Sequence, residues 1–475
     1  MSVTILGIVT LVAVAGVWFA RRGWTQYVVG ATVAFPQTAG VVVAGNGFPL
    51  FYLAVVLLVA LALPHALLGL SRLGRAPRGP RGRLLPDLLG AALAVWTAVI
   101  SLAGPRIFTG MRVFAPELGV DAQVISMATL QPSLGNIAQL GYVAMGVLFL
   151  LLAGRLFPVD ARMLGAALWA AVVLAAVRIV AEPLWPHELL QNMPGFNYAT
   201  PERLSGTFYE PSVLGLYLTA AAGYFGARLV WSGTAGRAAA LIALALVAVD
   251  FVANGSGTAL LGLAILLALA GAVALVRQLR SGRVGVRPFA VIGGIVLAGV
   301  ALAQVPVIVQ LTVGSAASKA DSESFVARTA SNARSWQIFL ESAGLGIGLG
   351  SNRPSSLALL VLSCLGVIGF GLLTALVVIA LRRALAHRPV EPAGWALAGV
   401  LVAAVVAVPD LSTPAIWIGL AACLYSASGT SGSQGAPAEL LPGAAAQVPP
   451  LEGREARDGS EEPRDERLEG RSALG

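Results

Sequence analysis

The sequence predicts an all-α protein that crosses a membrane about a dozen times. Of its 475 residues 57% are hydrophobic and only 11% are charged, and the mean hydropathy is +0.82. A soluble domain carries about 25% charged residues, so this chain cannot cover a water-facing surface. Apolar runs of about 20 residues, the length of a membrane-spanning helix, recur along most of the chain. Lipid offers no hydrogen-bond partner to a bare peptide group, so these runs must be helical.

Thirteen apolar runs are candidate spans, with short polar or basic segments between them. They cover residues 2–20, 26–45, 49–70, 87–104, 134–153, 163–181, 211–228, 238–253, 257–276, 288–310, 355–381, 393–409 and 412–427. The first run lacks a basic segment ahead of it and is followed by Arg21 and Arg22. This pattern predicts a retained anchor rather than a cleaved signal peptide.

The distribution of basic residues predicts which side of the membrane each loop faces. Segments on one side hold 18 arginines, whereas those on the other side hold seven arginines and Lys319. The positive-inside rule places the first side in the cytoplasm. Three longer loops, near 105–133, 182–210 and 311–354, then face the periplasm. The net charge of +8 is explained by this topology, and we expect no nucleic-acid partner.

Outside the predicted transmembrane domain of residues 1–427, the chain changes character. Residues 428–475 are rich in Gly, Ser, Pro, Glu and Arg and have no apolar period, which predicts a disordered cytoplasmic tail. The two cysteines, Cys364 and Cys423, each lie inside an apolar run. Neither a disulfide framework nor a metal site is indicated, and no cofactor is expected.

An arginine and a glutamate seven residues apart mark the entrance to the span at 211–228. The segment reads Arg203-Leu-Ser-Gly-Thr-Phe-Tyr-Glu-Pro-Ser, and its Glu210 directly precedes Pro211. Gly206 permits an unusual turn, and proline suits the first turn of a helix. The exposed amides of a helix N-terminus favour an anionic ligand. In the alternative interpretation, Arg203 pairs with a lipid phosphate or a loop acid, and Glu210 only caps the helix.

A second polar cluster runs from Lys319 to Arg353 and ends at the span near 355–381. Four glycines alternate within it, at Gly344, Gly346, Gly348 and Gly350. Such glycines let backbone approach a ligand closely. No strand precedes the run and no Gly-Lys-Ser/Thr follows it, which excludes a nucleotide-binding loop. The alternative is an amphipathic loop lying on the bilayer.

Weaker signals lie at other predicted periplasmic ends. Ser133, Asn136 and Gln139 share one face where the span at 134–153 begins, as substrate contacts or as helix-capping residues. Asp250 is an acid within a membrane helix, which is costly and tends to be functional unless an arginine pairs with it. His187 is a candidate proton acceptor, although a lone loop histidine usually is not one.

Taken together, these segments resemble the bacterial O-antigen polymerase and ligase superfamily (Wzy and WaaL type), particularly its exopolysaccharide and O-antigen polymerases. The resemblance covers about residues 125–425, and the Arg-x-x-Gly…Glu-Pro-Ser element is its most specific part. The matches, in chain order, are Pro132–Gln139, Arg203–Gly215, Ser256–Thr258, Ser324–Arg328, Gly344–Ser356, and Pro409–Leu411 with Trp417.

The resemblance implies a GT-C-like, metal-independent glycosyltransferase of the bacterial inner membrane. It would polymerise undecaprenyl-diphosphate-linked repeat units at the periplasmic face. The departing lipid diphosphate gains negative charge, and Arg203, Arg328 and Arg353 are the candidate cations. Glu210 is the expected catalytic proton acceptor, with His187 in reserve. Substrate contacts are expected from Arg353, Asn136, Gln139, Tyr209, His187, Ser205 and Gly348.

The resemblance also implies partners and leaves alternatives open. Expected partners are the lipid-linked donor and acceptor, membrane lipid, and chain-length or export proteins. Ligases of this superfamily carry a functional histidine in a late periplasmic loop, and residues 311–354 contain none, which favours a polymerase. A transporter or flippase for lipid-linked sugar would show repeated halves and charges near the membrane midplane. A scaffold would tolerate replacement of its arginines by lysine or glutamine.

Overall fold

A computed structural model describes most of the predicted transmembrane domain. The ranges that it describes are 2–36, 38–43, 46–70, 83–114, 127–155, 159–194, 203–281 and 323–426. The predicted span at 288–310, Lys319 and the predicted tail at 428–475 lie outside these ranges.

Helices dominate the described residues. The α-helices are α1 Ile5–Ala20, α2 Thr25–Thr32, α3 Leu50–Leu70, α4 Leu84–Ile107, α5 Leu134–Leu152, α6 Ala161–Ala181, α7 His187–Leu190, α8 Pro211–Trp231, α9 Thr234–Asn254, α10 Gly257–Ser281, α11 Glu323–Glu341, α12 Leu357–Ala386, α13 Glu391–Ala407 and α14 Pro414–Tyr425. Seven of the described helices (α4, α5, α6, α8, α9, α10 and α12) are long and apolar enough to cross a membrane. Shorter apolar helices are α1, α13, α14 and the Leu50–Pro64 part of α3. The chain is therefore a multi-pass, mostly helical membrane protein.

The predicted span at 26–45 is wrong. Helix α2 ends at Thr32, four residues before Pro36, and the chain then forms strands β2 (Ala39–Val43) and β3 (Asn46–Pro49). Proline disfavours helix in the residue before it, and the run of three valines in β2 favours a strand. Apolar content alone did not distinguish this segment from a spanning helix.

A small antiparallel sheet lies at the end of the bundle where α1 begins. Strand β1 (Ser2–Val3) directly precedes α1 and pairs with β2, which also pairs with β3. Because β1 and β2 are neighbours, the chain has returned by β2 to the end of the bundle from which α1 started. The predicted sides of the later loops are therefore unchanged.

We call one end of the bundle its outer end. It comprises the ends of five helices, at Ile107, Leu134, Pro211, Asn254 and Leu357. Here strands β4 (Arg112–Phe114) and β5 (Met127–Thr129) pair as an antiparallel hairpin. A satellite apolar cluster joins this hairpin to α11 and to the loop after it, and consists of Val113, Leu130, Ile338 and Ile347. The outer end therefore carries folded structure above the spans.

The centre of the bundle depends on close helix packing. Every residue of α14 is buried, and Trp417 on this helix donates a hydrogen bond from its indole N–H to the carbonyl of Leu411 at 2.8 Å. A Cβ atom on Gly146 of α5 would overlap the Trp417 ring. On α13, a Cβ atom on Gly399 would lie 2.9 Å from the carbonyl oxygen of Thr219 on α8. Small residues allow this approach of backbones between membrane helices.

Helix α5 offers a matched pair of glycines that tests this packing. Gly146→Ala should lower the thermal stability of the purified protein, because overpacking a core costs about 1–3 kcal/mol. Gly141→Ala in the same helix should keep or slightly raise it, because a Cβ atom there meets nothing within 4 Å and alanine favours helix over glycine by about 1 kcal/mol. Unfolding temperatures in detergent would be compared by fluorescence-detected size-exclusion chromatography. Equal unfolding temperatures for the two variants would contradict the packing of Trp417 on α5.

Candidate functional site

The glycine run adopts backbone angles that favour glycine. All four positions have φ in the left-handed region, at +74° for Gly344, +86° for Gly346, +92° for Gly348 and +78° for Gly350. L-residues reach this region only at a cost of about 1–2 kcal/mol. We refer to residues 342–356, which join α11 to α12, as the glycine loop.

The glycine loop approaches the protein's own backbone, and this differs from the expectation that its glycines would approach a ligand. A Cβ atom on Gly348 would lie 2.9 Å from the carbonyl oxygen of Ile100 in α4. One on Gly350 would lie 2.5 Å from the carbonyl oxygen of Gly135 in α5. The loop is thus inserted between the outer ends of two spans, and Gly348 contacts α4.

The glycine loop packs against a break in helix α12. Gly366 has a non-helical backbone conformation, with φ 68° and ψ −169°. The carbonyls at 363–365 accept hydrogen bonds from the N–H groups of Ile347 and Gly348 at 3.0 and 2.8 Å, and from the indole N–H of Trp96 at 2.6 Å. Broken backbone inside a membrane protein needs such internal partners. The loop and the broken helix therefore hold each other in place.

Two buried asparagines anchor the loop further. The amide nitrogen of Asn136 donates to the carbonyl of Leu349 at 2.6 Å and to the Ser351 hydroxyl at 2.8 Å. Its amide oxygen accepts from the backbone N–H of Ser133 at 2.9 Å, which completes a capping box on α5. Asn352 donates to the hydroxyl of Ser335 on α11 at 2.8 Å. These bonds fix the residues that directly precede Arg353.

A cavity of about 200 Å³ opens at the outer end beside the glycine loop. Its walls come from the start of α5, the segment before α8, helix α11, the loop itself, and the link between α13 and α14. It is lined by Ser133, Gly135, Ala138, Gln139, Tyr209, Glu210, Val213, Arg328, Leu349, Gly350, Asn352, Arg353, Ser355, Leu360, Ala407, Val408, Pro409 and Asp410.

The cavity combines two arginines with two carboxylates. Arg328, Arg353, Glu210 and Asp410 all line it and are all half-buried. Burial lowers the pKa of the Arg353 guanidinium, but Tyr209, Asp410 and Glu210 outweigh it and raise that pKa above its ordinary value. Arg353 is therefore a fixed cation at any physiological pH.

Local backbone structure orients both carboxylates. Glu210 is the N-cap residue of α8, and its carboxylate accepts a hydrogen bond from the Ser212 hydroxyl at 2.8 Å. Asp410 lies in the short link before α14, where its carboxylate accepts from the backbone N–H of Ser412 at 2.7 Å. Each acid therefore lies in the turn before a helix, where one oxygen of its carboxylate accepts a local hydrogen bond.

The structure brings together five of the ten residues to which the resemblance assigned a catalytic or substrate-binding role. Gln139, Tyr209, Glu210, Arg328 and Arg353 line one cavity although they come from four separate segments. The remaining selected residues are not among those that line it, and these are Arg203, Asn136, His187, Ser205 and Gly348. Asn136 and Gly348 instead hold the glycine loop, as described above.

Arg203 lies at the turn between α9 and α10. Its Nε donates to the carbonyl of Asn254 at 3.4 Å, and its Nη2 donates to the carbonyl of Gly255 at 3.1 Å. These carbonyls end α9, where the helix dipole favours a cation. The catalytic role of Arg203 stays a prediction, and its contacts favour a structural role.

Ser205 and His187 belong to a polar network beside the cavity. Arg178, near the end of α6, is buried and donates to the Ser205 hydroxyl at 2.8 Å and to the carbonyl of Gly206 at 2.9 Å. The Nε atom of Arg178 also forms an ion pair with the Glu182 carboxylate at 2.9 Å. His187 is exposed, and its Nε2 lies 3.7 Å from the same carboxylate. This network supports the segment that leads to Glu210.

Sequence reasoning missed three residues at this end. Asp410 was seen only as part of the Pro409–Leu411 match, although an acid in a very short link between spans was an available signal. Asn352 was not selected, because nothing in its local pattern separates it from ordinary loop residues. Arg178 was not selected either, although an arginine inside an apolar run was an available signal. In the part of the chain that the structure describes, no group of three or more His, Cys, Asp or Glu converges as metal ligands would.

Comparisons with known proteins identify no relative of this chain: no family model matches it, and no curated protein matches it in sequence.

Gly350 and Gly110 form a matched pair that tests the seating of the glycine loop. Both have positive φ, but a Cβ atom on Gly110 meets nothing within 4 Å. Gly110→Ala should carry only the backbone cost of about 1–2 kcal/mol. Gly350→Ala should carry that cost and also push the loop away from Gly135, which would lower the unfolding temperature further. Equal unfolding temperatures would show that the loop does not rest on α5.

Proposed function

We propose that this protein transfers glycan from a polyprenyl-diphosphate-linked donor to a hydroxyl group of an acceptor glycan. In this role it would polymerise lipid-linked repeat units for O-antigen or exopolysaccharide, at the periplasmic face of a bacterial inner membrane and with a GT-C-like architecture. The observation that supports the proposal is the meeting of Arg328, Arg353 and Glu210 in one cavity at the outer end.

The two arginines suit a diphosphate leaving group. As the acceptor oxygen forms its bond to the anomeric carbon, the bond from that carbon to the phosphate oxygen breaks. The electron pair leaves with the diphosphate, whose negative charge increases. A guanidinium binds phosphate oxygens with two parallel hydrogen bonds, and Arg328 and Arg353 come from different elements that could hold the group from two sides.

A carboxylate suits the proton that the acceptor hydroxyl must lose. Glu210 lines the same cavity as both arginines and stands at the start of α8. General-base catalysis of this kind contributes typically about 10²–10⁴-fold in rate. Asp410 is a second carboxylate in the cavity, so the identity of the proton acceptor is a question for experiment.

One observation bears on the transporter alternative. Broken membrane helices are typical of transporters, where the freed backbone groups bind the substrate. Helix α12 is broken at Gly366, but the carbonyls before the break are bonded to the glycine loop and to Trp96. Because these groups are used within the protein, the break favours a rigid support for the cavity over a transport site.

The arginine assignment is tested by product length in lipid nanodiscs supplied with undecaprenyl-diphosphate-linked repeat units. Wild-type protein should produce a ladder of lengthening glycan. Arg328→Ala and Arg353→Ala should each reduce turnover about 10²-fold, since one lost charge-stabilising contact costs about 3 kcal/mol.

Arg334→Ala is the matched control for this experiment. Arg334 lies on α11 with Arg328, but it pairs with Glu341 at 2.6 Å and does not line the cavity. Its variant should keep turnover within a few-fold of wild type. Consumption of donor by a folded Arg328→Ala, Arg353→Ala double variant at the wild-type rate would refute the assignment.

The proton acceptor is tested by comparing Glu210→Gln with Asp410→Asn. Glu210→Gln should reduce turnover about 10²-fold or more while the protein still binds donor, because the amide keeps the shape and loses the basic oxygen. Asp410→Asn should have a smaller effect. Donor binding would be measured by thermophoresis, and turnover by the release of undecaprenyl diphosphate. The opposite order of the two losses would transfer the role to Asp410.

A further inference from the structure

Asp250, near the C-terminal end of α9, is a buried acid that has no hydrogen-bond partner among the residues that the structure describes. None of its surface is exposed, and neither carboxylate oxygen has a hydrogen-bond partner in the structure as described. Asn254, one helical turn further on, is also fully buried, and its amide oxygen likewise has no partner there. Three unsatisfied oxygens therefore occur within one turn of a predicted membrane span.

The charged and titratable side chains of the neighbouring helices bond to groups other than Asp250. Helix α9 packs against α6 and α8. On α6, Arg162 bonds to Tyr27 and Arg178 pairs with Glu182. On α8 the groups have other partners as well: Tyr217 donates to Val33, Tyr224 to Ala161, and Arg228 to Ser232. Arg203 donates to the carbonyls that end α9.

An ionised carboxylate is unfavourable at this position. A buried charge without a partner is strongly destabilising and tends to be neutralised. The negative end of the α9 dipole adds to the cost. When a proton binds to the Asp250 carboxylate, the charge is removed and one of its oxygens becomes a hydrogen-bond donor. This O–H group could then donate to an unpartnered oxygen of the same helix.

Asp87 illustrates the opposite situation in the same protein. It is also a nearly buried aspartate in a predicted span, but Arg155 forms an ion pair with it and the Tyr425 hydroxyl donates to it. The two acids thus differ in their partners and not in their residue type.

The end of α9 is bonded to the segment that carries Glu210. The amide nitrogen of Asn254 donates to the carbonyls of Leu204 and Pro211 at 2.7 and 2.9 Å. The backbone N–H of Leu204 donates to the carbonyl of Ala253 at 3.3 Å. A change at Asp250 would therefore reach residues 203–211, which include two of the cavity-lining residues.

We propose that Asp250 is a proton-binding site whose occupancy controls the packing of α9 against the 203–211 segment, and through it the cavity. With the proton bound, the end of α9 is neutral and its bonds to Leu204 and Pro211 are kept. Loss of the proton leaves a buried negative charge one turn from these bonds and loosens them. The proposal concerns the cavity and does not depend on glycan transfer.

A proton fits these oxygens better than a metal ion does. A hard cation such as Ca²⁺ takes about six to eight oxygen ligands, whereas one carboxylate and one amide oxygen supply three. A proton needs one oxygen and one acceptor.

Infrared difference spectroscopy of the full chain in nanodiscs tests whether the proton is present. At pH 7 the wild-type spectrum should contain a carbonyl band of a neutral carboxyl group that is lost in Asp250→Asn. Asp87→Asn, the matched control, should retain the band. A band unchanged in Asp250→Asn would overturn the proposal, and so would its removal by added sodium at constant pH, which would make the occupant a cation.

Hydrogen exchange measured by mass spectrometry tests the coupling to the cavity. At alkaline pH, peptides that cover 203–211 should exchange faster in wild type than in Asp250→Asn, because the amide mimics the protonated acid and cannot ionise. Peptides from α4 and α5 should exchange equally in both proteins. Equal exchange of 203–211 at every pH would overturn the coupling. An Asp250→Asn protein that fails to fold would also contradict the proposal, since a neutral side chain of this shape should be tolerated.

Discussion

The need to satisfy every backbone polar group inside a membrane governs the outer end of this protein. Helix α12 is broken at Gly366, and lipid cannot supply the partners that its freed carbonyls require. The N–H groups of Ile347 and Gly348 supply them instead, at 3.0 and 2.8 Å. The loop can reach the break only because glycines take positive φ and allow contact with the backbones of α4 and α5. The break at Gly366 therefore depends on the positive φ angles of the glycine loop.

The cavity follows from this arrangement. Arg353 lies near the end of the glycine loop, so the docking of this loop brings a cation close to the start of α12, beside Arg328 on α11 and the turn that carries Glu210. Asn136 and Asn352 bond to the loop or to α11 and hold the position of this cation. The proposed chemistry needs cations that do not move when a diphosphate departs, and a loop held by backbone hydrogen bonds provides that rigidity.

The sequence predicted the fold class and part of the site, for separable physical reasons. Length and apolar content are local properties, so most spans were found within a few residues, but 26–45 was wrong because a valine-rich strand is as apolar as a helix. Arg328, Arg353 and Glu210 were found because charged residues are rare here and stand out. No local pattern encodes the contacts of Arg203 with the end of α9 or the bonds of Asn136 to the loop, because these are tertiary contacts. Asp410 lines the cavity and could have been selected from its place in a very short link between predicted spans.

The central claim is that Arg328 and Arg353 together bind a diphosphate. The most direct measurement is a cryo-electron microscopy structure of the full chain in nanodiscs with undecaprenyl diphosphate bound. The account predicts diphosphate density in the cavity, within hydrogen-bond distance of both guanidinium groups and beside Glu210. Density at another site, or density in the cavity that touches neither arginine, would contradict it.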